Sequence, residues 1–216
     1  QPASYTCSPH MKVIVIIPAA GLGTRMTSAP VLKGKKPAAT KQFTELGGVP
    51  VLIRTLRQFA SSPEVGEINV ALRGNEIEGF RTRLEKETKD IQQKSIHLVE
   101  GGDHRQHSVA NALNSISAAD DDIVLVHDAV RPFVTEEIIH EVIRAAKKYG
   151  AAIAGLPAVD TVKQVERTAD GALITATLPR ERVVLAQTPQ GFRYDVLKKA
   201  FDEAATDGFV GTDEAS

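Results

Sequence analysis

Cysteine occurs once in the 216 residues, at Cys7, so neither an intrachain disulfide framework nor a cysteine zinc cluster can form within one chain. That usage suits a reducing cytoplasm. A surplus of positive charge is also missing: 26 Lys and Arg stand against 27 Asp and Glu, a formal net charge of -1. Nucleic-acid surfaces need clustered surplus Lys and Arg, so a general one is excluded and any basic patch must be local. No apolar run is long enough to span a bilayer; the longest, Val13 to Leu22, is broken by Pro18 and Gly21. Gln1 to His10 lack a charged segment leading into an apolar one, which excludes a signal peptide. They read as a disordered leader, with Met11 as the expected original start. Internal repeats, heptads and low-complexity tracts are likewise absent outside one loop. What is present, 42% apolar and 25% charged residues, is the composition of a soluble globular protein with room for one domain over residues 11–216.

The stretch that organises the chain runs from Val13 to Met26. Val13 to Ile17 is apolar at every position and rich in Val and Ile, as in a central parallel strand covered on both faces. Pro18 ends the ladder. Gly21 and Gly23 allow close approach of the backbone, so several N–H groups could converge on an anion, and Arg25 adds a planar fork of donors. That combination suits a phosphate chain; the alternative is a tight turn with a solvated arginine. A Walker loop is excluded because Gly23-Thr24-Arg25 lacks Gly-Lys-Ser/Thr. A dinucleotide fingerprint fails because Met26 stands where a third glycine belongs, and the next strand, Glu67 to Leu72, ends in Arg73-Gly74 rather than an acid.

Thr27 to Thr40 reads as a mobile basic loop with Lys33, Lys35 and Lys36 solvated, whereas Lys41 sits where apolar order returns. Pro50 suits the first turn of a helix burying Leu52, Ile53, Leu56 and Phe59. Further strands are expected at Glu67 to Leu72, Ile96 to Glu100, Ile123 to Val126 and Ala151 to Leu156. Helices are expected from Ile77 to Asp90, along Val109, Ala110, Leu113 and Ile116, and after the Thr135 cap with Ile138, Ile139, Val142, Ile143 and Ala146 buried. From Ala158 the pattern alternates through Thr161 to Val165 and Leu173 to Leu178 around Ala169-Asp170-Gly171, a hairpin that interrupts the strand-helix units. This is expected to be an arm, about residues 158–182. Val183 to Phe192 returns to the sheet, and Tyr194 to Ala205 is amphipathic. Thr212-Asp213-Glu214-Ala215 reads as the start of a helix that the chain does not complete, with the natural C-terminus expected beyond Ser216. Alternating strands and helices imply an α/β fold with a mostly parallel sheet flanked by helices.

Ligands in such sheets sit beyond the carboxyl ends of the strands, where Gly21 to Arg25, Gly102-Asp103, Asp128 to Arg131 and Thr188 are expected to gather. The rim then carries Arg25, Lys41, Arg105, Arg131, Lys163 and Arg180 beside Asp103 and Asp128: a cationic cup suited to two phosphate-bearing ligands. An attacking phosphate needs no general base, its second pKa being about 6. This fits the lack of a Gly-x-Ser-x-Gly elbow and of a histidine ligand set. His104 and His107 have no third ligand beside them and are read as helix-start residues rather than a metal site. His127 is read as a packing residue. Asp128 either caps the turn after its strand or holds a ribose, an alcohol or a metal-bound water.

Taken together, seven words resemble one family, the 2-C-methyl-D-erythritol 4-phosphate cytidylyltransferases of the non-mevalonate isoprenoid pathway. They are Pro18-Ala-Ala-Gly-Leu-Gly-Thr-Arg-Met26, Lys41-Gln-Phe43, Gly101-Gly-Asp-His-Arg105 with Ser108-Val109, His127-Asp-Ala-Val-Arg-Pro132, Asp160-Thr-Val-Lys163, Ala186-Gln-Thr-Pro-Gln190 with Phe192, and Thr212-Asp-Glu-Ala215. The resemblance implies a Rossmann-like fold of the nucleotide-diphospho-sugar transferase type. It also implies transfer of CMP from CTP to a polyol phosphate, with Mg2+ bound mainly through the CTP phosphates. By the same likeness Arg25 and Lys41 are catalytic, stabilising the pentavalent α-phosphorus. Pro18, Ala19, Ala20, Gly21, Leu22, Gly23, Gly102, Asp103, Arg105, Ser108 and Ala129 bind the nucleotide; Asp128, Arg131, Thr161, Lys163, Arg180 and Thr188 bind the polyol phosphate. The arm resembles one that crosses to a second subunit, making a homodimer in which Thr161 and Arg180 serve the neighbour's site. Three departures stand out: the loop 27–40 is longer than is usual, Thr40 replaces a proline before Lys41, and the final strand and helix that the resemblance implies after Ser216 are not in the sequence. The rival readings are a ribitol 5-phosphate cytidylyltransferase and a non-catalytic nucleotide-binding dimer module.

Overall fold

In the computed structural model, residues 11–21, 40–87 and 94–216 are described. Residues 1–10, residues 22–39 with Leu22, Gly23 and Arg25, and residues 88–93, on which the expected leader, the expected basic loop and the end of the helix expected to Asp90 fall, lie outside them.

The apolar run forms strand β1 (Val13–Pro18), which includes Pro18 at its last position. It pairs in parallel with β4 (Glu67–Leu72) on one side and β6 (Ile123–Val126) on the other, so it is central, as its composition dictates. Alternate side chains serve two cores. Val13, Val15 and Ile17 pack with helices α1 (Val51–Ser61) and α4 (Glu136–Tyr149). Ile14 and Ile16 pack with α3 (Arg105–Ser115) and with Leu197 of α5 (Tyr194–Asp207). Helix α2 (Gly74–Glu87) adds Phe80 to the first core.

Six strands make the sheet, in the order β5-β4-β1-β6-β10-β7. Strand β5 (Ser95–Glu100) closes one edge and β7 (Ala151–Pro157) the other. Only β10 (Val184–Arg193) runs against its neighbours, so the sheet is mostly parallel, and β10 rather than β7 lies beside β6. The expected arm is a separate two-stranded sheet, β8 (Val162–Thr168) with β9 (Gly171–Leu178).

Several local expectations need correction. Helix α2 starts at Gly74 rather than Ile77. Ile138 lies in the first turn of α4 on its outer side and is 39% exposed, whereas Ile139, Val142, Ile143 and Ala146 are buried as the spacing requires. Ala110 is only half-buried, and Ala112 takes the inward position instead. Gly47-Gly48 turns a small hairpin, β2 (Glu45–Leu46) with β3 (Val49–Pro50), because both glycines take positive φ, 59° and 76°. Pro50 is the residue before α1, not within it. Thr212 to Ser216 does not begin a helix: Ser216 Oγ donates to Asp213 Oδ1 at 2.9 Å and the segment turns on itself. Thr135 caps α4 as expected, accepting from Ile138 N at 3.3 Å.

Candidate active site

Because β1, β4, β5 and β6 are parallel, their carboxyl ends emerge on one rim, and the chain leaving three of them lines a cleft of about 620 Å³. Pro18, Ala19, Ala20 and Gly21 come from β1, Gly102, Asp103, Arg105 and Ser108 from the β5–α3 connection, and Asp128, Ala129 and Arg131 from the end of β6. Lys41 reaches it from a 3-10 turn, Lys41–Phe43, and Thr188 from an irregular stretch of β10 between Ala186 and Gln190. Thirteen of the expected positions thus share one cavity.

The side of the cleft between the ends of β1 and β5 is built for close approach. A side chain at Gly101 would sit 2.6 Å from the Ala20 Cβ, and one at Gly102 would sit 2.4 Å from the His107 Cβ. Only glycine lets the β5–α3 turn pack this tightly against the end of β1. Ser108, 2% exposed, anchors the turn from the first helical rung by accepting from Gly102 N at 3.1 Å. Ala20 is held from behind by Arg73, whose Nε donates to its carbonyl at 2.9 Å. Thr55 of α1 donates to the Ala129 carbonyl at 2.9 Å, which fixes the turn after β6.

The other side carries a chain of charges. Asp128 accepts from Arg105 Nη2 at 3.1 Å through Oδ1 and from Arg131 Nε at 2.9 Å through Oδ2. Arg105 also pairs with Glu214, and Arg131 with the Gln187 side chain. Burial alone would raise the Asp128 pKa, but Arg105 and Arg131 outweigh it and hold the carboxyl below its ordinary value. Glu214 is shifted the other way, because burial dominates over its pairing with Arg105. The cup is therefore less cationic than the sequence suggests: Asp128 and Glu214 already answer the two arginines, and Lys41, the third cation among the described lining residues, shares the cleft with the carboxylates of Asp103 and Asp213.

His127 is fully buried behind the site, its ring edge-on to Phe59 at 4.8 Å and its Nε2 3.0 Å from the Arg131 carbonyl. Burial lowers its pKa to about 4, so it packs as a neutral ring. His104 and His107 lie with ring centroids 5.4 Å apart at the start of α3, where His104 is the N-cap residue without a side-chain cap hydrogen bond.

Thr161, Lys163 and Arg180 do not line this cleft. Lys163 Nζ donates to Thr177 on the facing strand at 2.6 Å, and Arg180 Nη1 donates to the Val159 carbonyl at 2.8 Å, so both belong to the arm and its base. Arg25, Leu22 and Gly23 lie outside the described residues. Gln42, Gln187, Gln190 and Glu214 are among the lining or supporting residues that carried no expected role. Each stands inside one of the seven words, which was the available signal, but a partner far away in sequence defines its task.

The IspD family profile, described as 2-C-methyl-D-erythritol 4-phosphate cytidylyltransferase, matches residues 13–216. A protein of that name from Acidobacterium capsulatum is 57% identical over 206 residues, covering 95% of this chain and 83% of the relative. Among solved structures, the Anaerococcus prevotii 4-diphosphocytidyl-2C-methyl-D-erythritol synthase superposes with a TM-score of 0.77 at 28% identity, over 95% of this chain and 80% of that one. The Francisella tularensis 2-C-methyl-D-erythritol 4-phosphate cytidylyltransferase gives 0.72 at 34% identity, over 94% and 83%. Fold and cleft together define a nucleotidyltransferase-like α/β protein. Within that class, the chain belongs to the 2-C-methyl-D-erythritol 4-phosphate cytidylyltransferase family.

Proposed function

We propose that this protein transfers CMP from CTP to 2-C-methyl-D-erythritol 4-phosphate. A phosphate oxygen of the polyol phosphate attacks the α-phosphorus of CTP in line, the bond to the bridging oxygen of the β-phosphate breaks, and pyrophosphate leaves with that electron pair. The products are 4-diphosphocytidyl-2-C-methyl-D-erythritol and pyrophosphate. The observation that carries this reading is the single cleft into which three parallel strand ends deliver the family's words.

In this reading the small residues Ala19, Ala20, Gly102 and Ala129 leave room for the nucleoside, and Ser108 keeps the Gly102 turn rigid. Asp128 orients Arg131 beside Thr188, which donates no charge but can share a proton with the polyol phosphate. Lys41, with Arg25 from the loop, answers the charge that grows on the α-phosphoryl oxygens. No general base is needed, since the attacking phosphate is ionised near neutral pH.

The described lining residues fit a magnesium ion that arrives with the triphosphate. No group of three His, Cys, Asp or Glu side chains converges among the described residues, Asp128 is committed to two arginines, and Asp103 is the exposed carboxylate at the rim. Such an ion would take phosphate oxygens and water as its main ligands, and its role is to neutralise the leaving pyrophosphate.

A homodimer through the arm completes the proposal. The hairpin stands apart from the main sheet with Leu173 and Ile174 62% and 65% exposed, and Thr161 and Arg180 lie outside their own cleft, which supports service in a neighbour's. Small phosphorylated substrates and the lone Cys7 support a cytoplasmic setting.

Pyrophosphate release with CTP and magnesium tests the reaction. The expected outcome is release with 2-C-methyl-D-erythritol 4-phosphate and, at equal concentration, at least about 100-fold less with ribitol 5-phosphate, a gap of about 3 kcal/mol. Preferred use of ribitol 5-phosphate would reassign the polyol. CTP binding without release from either would leave a non-catalytic module.

A further inference from the structure

We propose that Gln42 is the positioning residue for Lys41, acting as a clasp between the two ends of the first loop; this rests on the reading of Lys41 as the charge that meets the α-phosphoryl oxygens. Gln42 is the middle residue of the Lys41–Phe43 turn and is 3% exposed. Its Nε2 donates to the Ala19 carbonyl at 2.7 Å, across 23 positions of sequence. That carbonyl is a fixed point: Ala19 N itself donates to Ala71 O at 2.7 Å, continuing the β1–β4 ladder.

The turn needs such an anchor. It has a single 3-10 turn's hydrogen bonds, Phe43 N to Thr40 O at 2.9 Å and Thr44 N to Lys41 O at 3.2 Å, and no side-chain cap. Isolated pieces of this length do not hold their shape. Phe43 secures one side through Phe80, at 5.8 Å between ring centroids, and Gln42 secures the side facing the cleft. Lys41 is thus placed relative to β1 by a bond that bypasses residues 22–39.

Such a bond would let the number of residues between Ala19 and Lys41 vary without moving the lysine. Loop-closure entropy grows only about 0.6 kcal/mol per doubling of length, so extra residues between two clasped ends cost little and move neither end. An amide also suits the place better than a carboxylate, which would set an acceptor against the Ala19 carbonyl, and it leaves the neighbouring lysine's charge unpaired for the substrate.

The test uses Gln42→Met, which keeps length and volume but cannot donate, and Gln42→Asn, which keeps the amide but falls short by one methylene. Both are expected to lower kcat for CTP and polyol phosphate by about 10- to 100-fold, the cost of misplacing a charged group by about 1 Å, with the KM for CTP within about threefold. In a Lys41→Ala background the same changes are expected to cost less than about twofold more, because the clasp acts through the lysine. Amide exchange at residues 40–43 is expected to speed up at least about tenfold in Gln42→Met while the melting temperature stays within a few degrees. Equal losses in both backgrounds, or unchanged exchange at 40–43, would overturn the proposal. A wild-type protein that releases no pyrophosphate would instead remove the reaction assignment, and exchange would still decide the clasp.

Discussion

Asp128, Arg105, Arg131 and Glu214 show how single residues in this cleft are defined by partners far away in the chain. Asp128 reads in isolation as either a turn cap or a ligand contact; in the fold it holds two arginines at once. His127 beside it is a stability residue with a clear pH signature. Its folded pKa is lowered from 6.5 to about 4 by burial, so the unfolded chain binds the extra proton between those values. Stability from keeping the ring neutral is complete above about pH 6.5 and is lost as pH falls towards 4, with an upper bound of about 3 kcal/mol. We expect urea titrations from pH 7 to pH 5 to show a stability loss in the wild type that shrinks by about 1 kcal/mol or more in His127→Gln, whose side chain does not titrate. Parallel losses in both proteins would assign the effect elsewhere.

At the scale of elements, the site is a consequence of strands that stop together. Strands β1, β5 and β6 end at Pro18, Glu100 and Val126, and each gives way to a turn tied to a neighbouring element by Arg73, Ser108 or Thr55 respectively. The β5–α3 turn is the tightest of these. Gly102→Ala would bring its Cβ to 2.4 Å from the His107 Cβ, so the first turn of α3 must shift and the Ser108 contact must lengthen. Overpacking of this kind costs about 1–3 kcal/mol. Steady-state kinetics are expected to give a CTP KM about 10-fold higher or more, with the polyol phosphate KM within about threefold. Equal weakening of both substrates would mean that the turn supports the whole cleft rather than its nucleotide end. A turn here was legible from Gly101-Gly102 at the end of a strand, whereas the close seat against Ala20 that makes it require glycine was not, since those residues meet only across the sheet.

For the whole molecule, the strand order β5-β4-β1-β6-β10-β7 decides what the cleft contains. Strand β10 runs back between β6 and β7, so Gln187 and Thr188 arrive at the rim from the opposite direction to the other strands. The β8–β9 hairpin that precedes β10 is left outside both cores, with its apolar side chains uncovered in a single chain. If it docks on a second copy, removing residues 162–178 and closing the gap with a short glycine linker should convert a dimer into a monomer by light scattering. It should also cut turnover by at least about 10-fold through loss of Thr161 and Arg180 geometry at the neighbouring site. A shortened protein that remains dimeric and fully active would assign the hairpin no part in assembly or catalysis.

The sequence by itself determined the central strand, its two covered faces and the α/β alternation, because five consecutive apolar residues in Val13 to Ile17 and the 3.6-residue stripes of α1 and α4 report burial locally. It also determined which strand ends lead into the words that line the cleft, eleven of the thirteen expected residues there, the others being Lys41 on its 3-10 turn and Thr188 within β10. Only tertiary structure decided that Lys163 leaves that cleft with the arm, and that Glu214 pairs with Arg105 across 109 positions of sequence. It alone decided that the cup is largely neutralised and that Gln42 reaches Ala19. The physical reason is the same in each case. Periodicity records how one segment meets water or core, whereas an ion pair or a clasp depends on two segments whose separation is set by the sheet order.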